Sequence, residues 1–255
     1  MRIFKYLLSA LSALMFATLP APGKAAETRI AVAANFAAAA EEIITAFEAK
    51  TGAEVRMSVG ATGQLYAQIL QAAPFDVFLA ADKNRPDLLV AEGLARPEHK
   101  ITYAIGRLVL YSADPEVEPG PDLLKRSEFA RLAIANPATA PYGAAAISTL
   151  QRLGLKQALE PKIVMGTSVS QTFQFVASTS AELGFVALAQ VLDASPAQRW
   201  LVPDTLHAPI AQDAVLLQAG EGNPTAVALF EFLQSAEARD IINRFGYASS
   251  QPVAN

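Results

Sequence analysis

The chain has 255 residues, with 20 Lys and Arg against 24 Asp and Glu, and no cysteine. The lack of cysteine excludes disulfides, thiol catalysis and cysteine-ligated metals, and the lack of a basic patch argues against a nucleic-acid partner. The length is enough for one large domain or for two lobes of about 100 residues each.

The N-terminus is predicted to be a secretory signal peptide. Arg2 and Lys5 precede an apolar run from residue 6 to 19, and small residues follow at Gly23 and Ala25. The run is shorter than the ~20 apolar residues of a transmembrane helix, so cleavage after Ala25 is expected. Removal of residues 1–25 leaves 17 basic against 24 acidic side chains, a net charge of about −7. We expect the exported protein to lie in the periplasm.

The first half of the remaining chain alternates between strand and helix patterns. Apolar residues at helical spacing follow a short apolar strand, and Gly52 is expected to end that helix. The predicted strands are 29–33, 55–59, 76–81 and 103–111, and the predicted helical segments are 36–47, 65–70 and 88–94. Residues 114–121 contain three prolines and one glycine, and are expected to form a surface loop.

A second cycle of strands and helices follows the loop. The predicted strands are 132–135, 162–165, 183–187, 200–202 and 214–217, and the predicted helices are 144–153 and 171–177. Two C-terminal helices are expected, the first capped by Asn223 with Pro224 in its first turn, the second beginning near Ser235 and ending at Gly246.

Repeated strand–helix–strand units predict an α/β fold with mostly parallel sheets flanked by helices. Two cycles separated by a loop predict two lobes, with the last helices crossing back onto the first lobe. Ligands of such sheets bind beyond the carboxyl ends of the strands, so we expect a ligand cleft between the lobes.

No catalytic motif is visible in the sequence. His99 and His207 stand apart from each other and from any acidic pattern, and are expected to be surface or loop residues. The chain has no nucleophile elbow, no zinc-protease motif and no P-loop, and the glycine-rich segment 60–63 is too short for a dinucleotide site. We therefore expect no enzyme activity, although paired buried acids remain an open alternative.

Four strand-to-helix junctions carry neutral hydrogen-bonding residues. They are the segments 33–36, 60–64, 136–143 and 166–170, and none contains lysine or arginine. Helix N-termini hold anions because their first N–H groups are unpaired and carry partial positive charge. Asn35 and Thr62 add side-chain donors, but simple helix capping explains the same residues. The residues alone thus indicate a cleft-type binding protein, with an anion as one candidate ligand.

These junctions, together with further motifs along the whole mature chain, resemble the periplasmic molybdate-binding proteins of ABC transporters. The matching segments are 30–36, 60–65, 73–82, 132–137, 141–143, 183–187 and 245–247. The resemblance implies a two-lobed periplasmic binding fold with a hinge of two crossing segments. It places residues 26–104 and 211–255 in lobe 1 and residues 105–210 in lobe 2.

The resemblance also implies the ligand and the partners. The ligand is molybdate or tungstate, held through its oxygens with no direct protein ligand on the metal, and there is no cofactor. The expected partners are an ABC permease and its ATPase, and the protein itself is expected to be a monomer.

By position, the resemblance assigns the oxyanion site to Asn35, Thr62, Tyr142, Val169 and Ala34. Tyr142, Val169 and Ala34 are expected to donate backbone N–H groups. Members commonly have a tyrosine where this chain has Ala187, and we expect Tyr142 to replace that donor from across the cleft.

Three alternatives remain open at this point. The same fold could bind sulfate, phosphate or a small organic anion, which the loss of a donor at Ala187 motivates. An enzyme on this two-lobed fold would need a titratable pair in the cleft. A ligand sensor that signals rather than transports would use the same binding site.

Overall fold

The computed structural model describes residues 27–248. The predicted signal peptide, residues 1–25, lies outside the described residues. The strands are β1 (Thr28–Ala33), β2 (Val55–Gly60), β3 (Val77–Leu79), β4 (Ala95–Gly106), β5 (Leu108–Tyr111), β6 (Leu132–Ala135), β7 (Ile163–Gly166), β8 (Leu183–Ala187), β9 (Arg199–Leu201) and β10 (Ile210–Leu217). The helices are α1 (Ala37–Thr51), α2 (Thr62–Leu70), α3 (Asn84–Ala91), α4 (Pro121–Arg126), α5 (Pro141–Arg152), α6 (Lys156–Leu159), α7 (Val169–Ala177), α8 (Pro224–Phe232) and α9 (Ala236–Arg244).

The strands form two sheets of five, and each sheet with its helices is one lobe. The first sheet has the order β2-β1-β3-β10-β4 and the second has the order β7-β6-β8-β5-β9. In the first sheet only β10 runs against the other four strands, and in the second only β5 does so. The predicted two-lobed α/β fold with mostly parallel sheets is therefore confirmed.

Both faces of the first sheet are buried. Ile30 and Val32 of β1 point into a core with α1, α8 and α9, whereas Ala31 between them points into a smaller core with α2 and α3. This alternation follows from the two-residue period of a strand. Both C-terminal helices therefore cover the first sheet. The chain passes through the second lobe and then returns to the first lobe, where it forms α8 and α9.

Several predicted elements agree with the structure to the residue. Strands 132–135 and 183–187 have the bounds read from their apolar runs. Gly52 ends α1 in the left-handed region, with φ of 67°, and its N–H donates to the Glu48 carbonyl at 2.8 Å. The Asn223 side chain caps α8 by accepting the Thr225 N–H at 3.1 Å.

The predicted strand 103–111 is wrong as a single element. The chain ends β4 at Gly106 in the first sheet and begins β5 at Leu108 in the second, so Arg107 is the point where it passes between the lobes. One buried strand and two consecutive buried strands in different sheets both give a continuous apolar run. The sequence pattern therefore does not show where the chain changes sheets. The predicted loop 114–121 also loses its last residue to α4, where Pro121 occupies the first turn.

Of the helices within residues 27–248, none is both long enough and apolar enough to cross a membrane.

Candidate functional site

The four predicted junctions meet at one small cavity between the lobes. Its volume is about 10 Å³, close to the space that a single water molecule occupies. The cavity is lined by Ala33, Ala34, Asn35, Ala61, Thr62, Ala81, Ala140, Pro141, Tyr142 and Val169. All five residues proposed from the sequence are therefore brought together, and Asn35 and Thr62 are only 4% and 1% exposed.

Each of the five stands in the first turn of a helix. Ala34 and Asn35 begin a 3-10 turn that runs into α1, Thr62 begins α2, Tyr142 is the second residue of α5, and Val169 begins α7. Backbone N–H groups in a first turn have no acceptor within their own helix. Four helix starts thus direct unpaired donors and partial positive charge at one point.

Three of these helix starts carry no side-chain cap. The residue before the turn at Ala34 is Ala33, the residue before α2 is Ala61, and the residue before α5 is Ala140. Alanine has no side-chain acceptor and is a poor N-cap. Simple capping, the alternative reading of the sequence, therefore fails at three of the four junctions, and these N–H groups are left available for a ligand.

The fourth helix start is capped in the ordinary way. The Ser168 hydroxyl accepts the Gln171 N–H at 3.2 Å, which leaves the Val169 N–H free of the cap. In the next position, the Ser170 hydroxyl donates to the Ala34 carbonyl at 3.1 Å. Since Ala34 belongs to the first lobe and Ser170 to the second, this bond joins the two sides of the cavity.

The Thr62 hydroxyl is prepared to donate. Its Oγ1 accepts the Ala81 N–H at 3.1 Å. That bond uses a lone pair and leaves the hydroxyl hydrogen free, because a threonine hydroxyl both donates and accepts. With the Thr62 side chain lining the cavity, its hydrogen is available to an acceptor there.

The Asn35 side chain is fixed by hydrogen bonds to residues outside the cavity lining, and the sequence did not reveal these residues. Its Nδ2 donates to Gln212 Oε1 at 3.0 Å and to Tyr247 Oη at 3.2 Å, and Tyr247 Oη donates to the Asn35 carbonyl at 2.7 Å. Tyr103 Oη lies 3.0 Å from the same Gln212 oxygen. The available signals were Gln212, a polar residue inside an apolar strand, and Tyr247, the last residue of the matching segment 245–247.

The Tyr142 side chain crosses from the second lobe and contacts the first lobe. Its phenol is buried, and Gln212 Nε2 on the first sheet donates to its oxygen at 3.3 Å. Desolvation raises the pKa of Tyr142, so the phenol keeps its proton. Tyr142 and Ala187 both belong to the second lobe, so Tyr142 does not lie across the cleft from Ala187, and its replacement of the donor lost at Ala187 stays a prediction. Ala187 is buried outside the cavity lining, and its N–H donates to Gln190 Oε1 at 3.1 Å.

Further hydrogen bonds close the lobes over the cavity. The Gly63 N–H donates to the Thr139 carbonyl at 2.8 Å, and Arg85 Nη2 donates to the Ala138 carbonyl at 2.9 Å. A Cβ on Gly63 would stand 3.0 Å from the Thr139 Cα, so glycine permits this close approach. Arg85 is also paired with Asp82. No charged side chain is among the described residues that line the cavity.

The other candidate groups lie away from the cavity. His207 is buried in the loop before β10, with Nδ1 at 2.8 Å from the Ala208 carbonyl, so its predicted loop position agrees with the structure. His99 lies in β4 with Nδ1 3.2 Å from Glu221, so the prediction that it is a surface or loop residue apart from acidic residues was wrong. Over residues 27–248, no group of three or more His, Cys, Asp or Glu side chains could hold a metal ion.

Comparison with known proteins places the chain in a family. The model of the family "Bacterial extracellular solute-binding protein" matches residues 28–248. The molybdate-binding protein ModA of Rhodobacter capsulatus is 46% identical over 231 residues, which cover 91% of this chain and 92% of that protein. The chain belongs to the molybdate-binding proteins of this family.

Two further members support the assignment. ModA of Azotobacter vinelandii is 47% identical over 233 residues, covering 90% of this chain and 92% of that protein. The solved structure of the Azotobacter vinelandii periplasmic molybdate-binding protein superposes with a TM-score of 0.84 at 36% identity, covering 88% of this chain and 100% of that one. Members of the family are substrate-binding proteins of ABC transporters rather than enzymes, and they carry their anion as cargo, not as a cofactor.

The close packing of the start of α5 against the end of β6 can be tested by substitution. A Cβ on Gly143, next to Tyr142, would lie 2.0 Å from the Ala135 carbonyl oxygen at the end of β6. We predict that Gly143→Ala lowers the free energy of unfolding by ~1–3 kcal/mol, because the helix must move off the strand. Chemical denaturation measures it, with Gly222→Ala as the control because a Cβ there meets nothing within 4 Å. Equal midpoints for Gly143→Ala and wild type would contradict the packing described.

Proposed function

We propose that this protein captures molybdate or tungstate in the periplasm and delivers it to an ABC permease that is driven by a cytoplasmic ATPase. The observation that carries the proposal is the convergence of four helix starts, three of them without a side-chain cap, on one buried cavity. Membership of the molybdate-binding family supplies the identity of the anion.

We assign the binding of the anion to donors at the helix starts. The backbone N–H groups of Ala34, Asn35, Thr62, Tyr142 and Val169, with the Thr62 hydroxyl, are the proposed ligands of its oxygens. The first three residues belong to the first lobe and the last two to the second, so the anion bridges the cleft. No residue of this set touches the metal itself.

Asn35 has a second role in this proposal. Both hydrogens of its amide are already directed at Gln212 and Tyr247. A bound anion competes with those acceptors for one of the hydrogens, whereas the Asn35 backbone N–H has no such competitor within its helix. The side chain therefore chiefly fixes the position of the turn that presents the backbone donors.

Neutral donors are sufficient to hold a doubly charged anion. A hydrogen bond to an ionised acceptor contributes about 1.5–3 kcal/mol, and several such bonds at helix N-termini offset the desolvation of the ion. Donors alone also disfavour an anion that retains a proton, because that proton finds no acceptor. The site thereby discriminates against phosphate, which keeps a proton near neutral pH, more strongly than against fully ionised tetrahedral anions.

Capture requires the lobes to move. A tetrahedral oxyanion is larger than the water-sized cavity, and the residues that line it are buried. We propose that the two lobes separate about the two segments that cross between the sheets. The sequence divides the lobes after residues 104 and 210, whereas the sheets divide at Arg107 and just before Ile210, so β4 and β10 belong wholly to lobe 1. The ion enters the open cleft, and closure surrounds it with donors from both lobes.

Export and assembly complete the proposal. Residues 1–25 act as a signal peptide, and the mature protein works as a monomer in the periplasm. The family of extracellular solute-binding proteins supports this location.

Ligand identity is tested by isothermal titration calorimetry with molybdate, tungstate, sulfate and phosphate. We expect saturable binding of molybdate and tungstate, and weaker or no binding of sulfate and phosphate. Clear binding of sulfate or phosphate together with no heat from the first two ions would refute the proposed ligand and leave the fold as that of another anion carrier.

The Thr62 hydroxyl is tested by Thr62→Val, which keeps the shape of the side chain and removes both the hydroxyl donor and the acceptor of the Ala81 N–H. We expect affinity for molybdate to fall by ~1.5–3 kcal/mol, the loss of a hydrogen bond to a charged acceptor. Thr149→Val is the matched control, because the Thr149 hydroxyl is equally buried but does not line the cavity. It donates to the Ala145 carbonyl, with an O···O distance of 2.9 Å. Equal affinities for the two variants would remove Thr62 from the site.

The export step is tested by expressing the full chain in a Gram-negative host and measuring the intact mass of the protein released from the periplasm. We expect a mass that corresponds to a chain beginning at Ala26, because cleavage after Ala25 leaves small residues at the recognition positions. Full-length protein retained in the cytoplasm would contradict the signal peptide.

A further inference from the structure

The Tyr142 phenol enters a socket in the opposite lobe. Tyr142 is carried by α5, which packs on the second sheet, but its oxygen receives a hydrogen bond from Gln212 Nε2 on β10 of the first sheet at 3.3 Å. A Cβ on Gly106, the last residue of β4, would lie 2.2 Å from that phenol oxygen. The phenol therefore occupies space that exists only because residue 106 has no side chain.

The glycine at this point is required for room rather than for backbone conformation. Gly106 is not among the described residues with a positive φ. Its missing Cβ would also stand 2.5 Å from Gln212 Nε2 and 3.0 Å from the Tyr142 Cζ. Gly106 and Gln212 are thus the two walls of the socket, and both are contacted by the same hydroxyl group.

The socket lies where the chain crosses between the lobes. Gly106 pairs with Ile210, the first residue of β10, and the next residue, Arg107, leads directly into β5 of the second sheet. Any rotation of one lobe against the other about these segments moves α5 relative to Gly106. The Tyr142 phenol can therefore be seated only when the lobes are closed.

Gln212 connects the socket to the oxyanion site. It is fully buried, and while its Nε2 donates to Tyr142, its Oε1 accepts the Asn35 amide at 3.0 Å. Opening the cleft withdraws Tyr142 and leaves the Gln212 Nε2 without this acceptor. In the open cleft water can take the place of the phenol, so closure gains the net free energy of one neutral hydrogen bond at a place that the anion does not touch.

We propose that the Tyr142 phenol is a closure latch, that Gly106 and Gln212 form its socket, and that Gln212 is a positioning residue that links the latch to Asn35. The latch stabilises the closed lobes, so it slows release of the anion without affecting its capture by the open form. The effect on anion release rests on the ligand proposed above, whereas the effect on lobe closure rests only on the proposed movement of the lobes.

The kinetic test compares wild type, Tyr142→Phe and Tyr111→Phe by rapid mixing with molybdate. Tyr142→Phe is expected to raise the dissociation rate constant by roughly 2- to 10-fold, the effect of one neutral hydrogen bond, with the association rate constant within about 2-fold of wild type. Tyr111→Phe is the matched control, because that tyrosine stacks on Phe173 within the second lobe. An unchanged dissociation rate in Tyr142→Phe would overturn the latch.

Rescue separates a latch from a general packing defect. Gly106→Ala places a methyl group where the phenol oxygen lies, so we expect faster release of molybdate than in Tyr142→Phe. The double variant Gly106→Ala with Tyr142→Phe removes the colliding oxygen, and it is expected to release molybdate more slowly than Gly106→Ala alone. Additive losses in the double variant would overturn the socket.

Lobe closure is measured independently of any ligand. The chain has no cysteine, so Gln68→Cys and Gln151→Cys, both exposed, give one spin label on each lobe for distance measurement by electron paramagnetic resonance. Tyr142→Phe is expected to shift the distance distribution toward longer values, and identical distributions would overturn the latch. If the wild type failed to bind molybdate while this shift persisted, the ligand proposal would fall and the latch would stand.

Discussion

Backbone donors without protein acceptors are the constraint on which this structure depends. The residues before three of the converging helices are Ala33, Ala61 and Ala140, and none can cap the turn that follows it. An unpaired polar group in a buried position costs about 1–3 kcal/mol, so a cavity surrounded by several of them favours any guest that accepts hydrogen bonds. The cavity is thus built by withholding caps, and in the function proposed here the anion supplies the acceptors that the chain does not.

Dipoles rather than ionised side chains set the electrostatics of the cavity. The chain has a net charge of −4 and places no charged side chain on the lining. Behind the lining, desolvation raises the pKa of both Tyr103 and Tyr247 well above its usual value, so the network that supports Asn35 stays neutral. A site of this kind keeps its donor pattern over a wide pH range, and the protonation state of the ligand decides binding.

The sequence predicted local structure better than long-range contacts. Strands 132–135 and 183–187 and the caps at Gly52 and Asn223 follow from patterns within a few residues, and the structure has them. The change of sheet at Arg107 was missed because both halves of the run 103–111 are apolar. Gln212 and Tyr247 were missed because they meet Asn35 from 177 and 212 positions away. Asn35 and Thr62 were candidate donors from the sequence itself, and the family resemblance completed the set of five. Only the structure shows that alanine occupies the N-cap position at three of the helix starts and leaves it without a side-chain cap.

The most direct test of the account is a crystal structure of the molybdate complex, with the metal located by anomalous scattering. We expect one molybdenum position in the cavity, with oxygens ~2.7–3.2 Å from the backbone nitrogens of Thr62, Tyr142 and Val169 and no lysine or arginine in contact with the ion. A molybdenum position outside this cavity, or an ion held by a charged side chain such as Arg85, would contradict the claim that uncapped helix starts hold the anion.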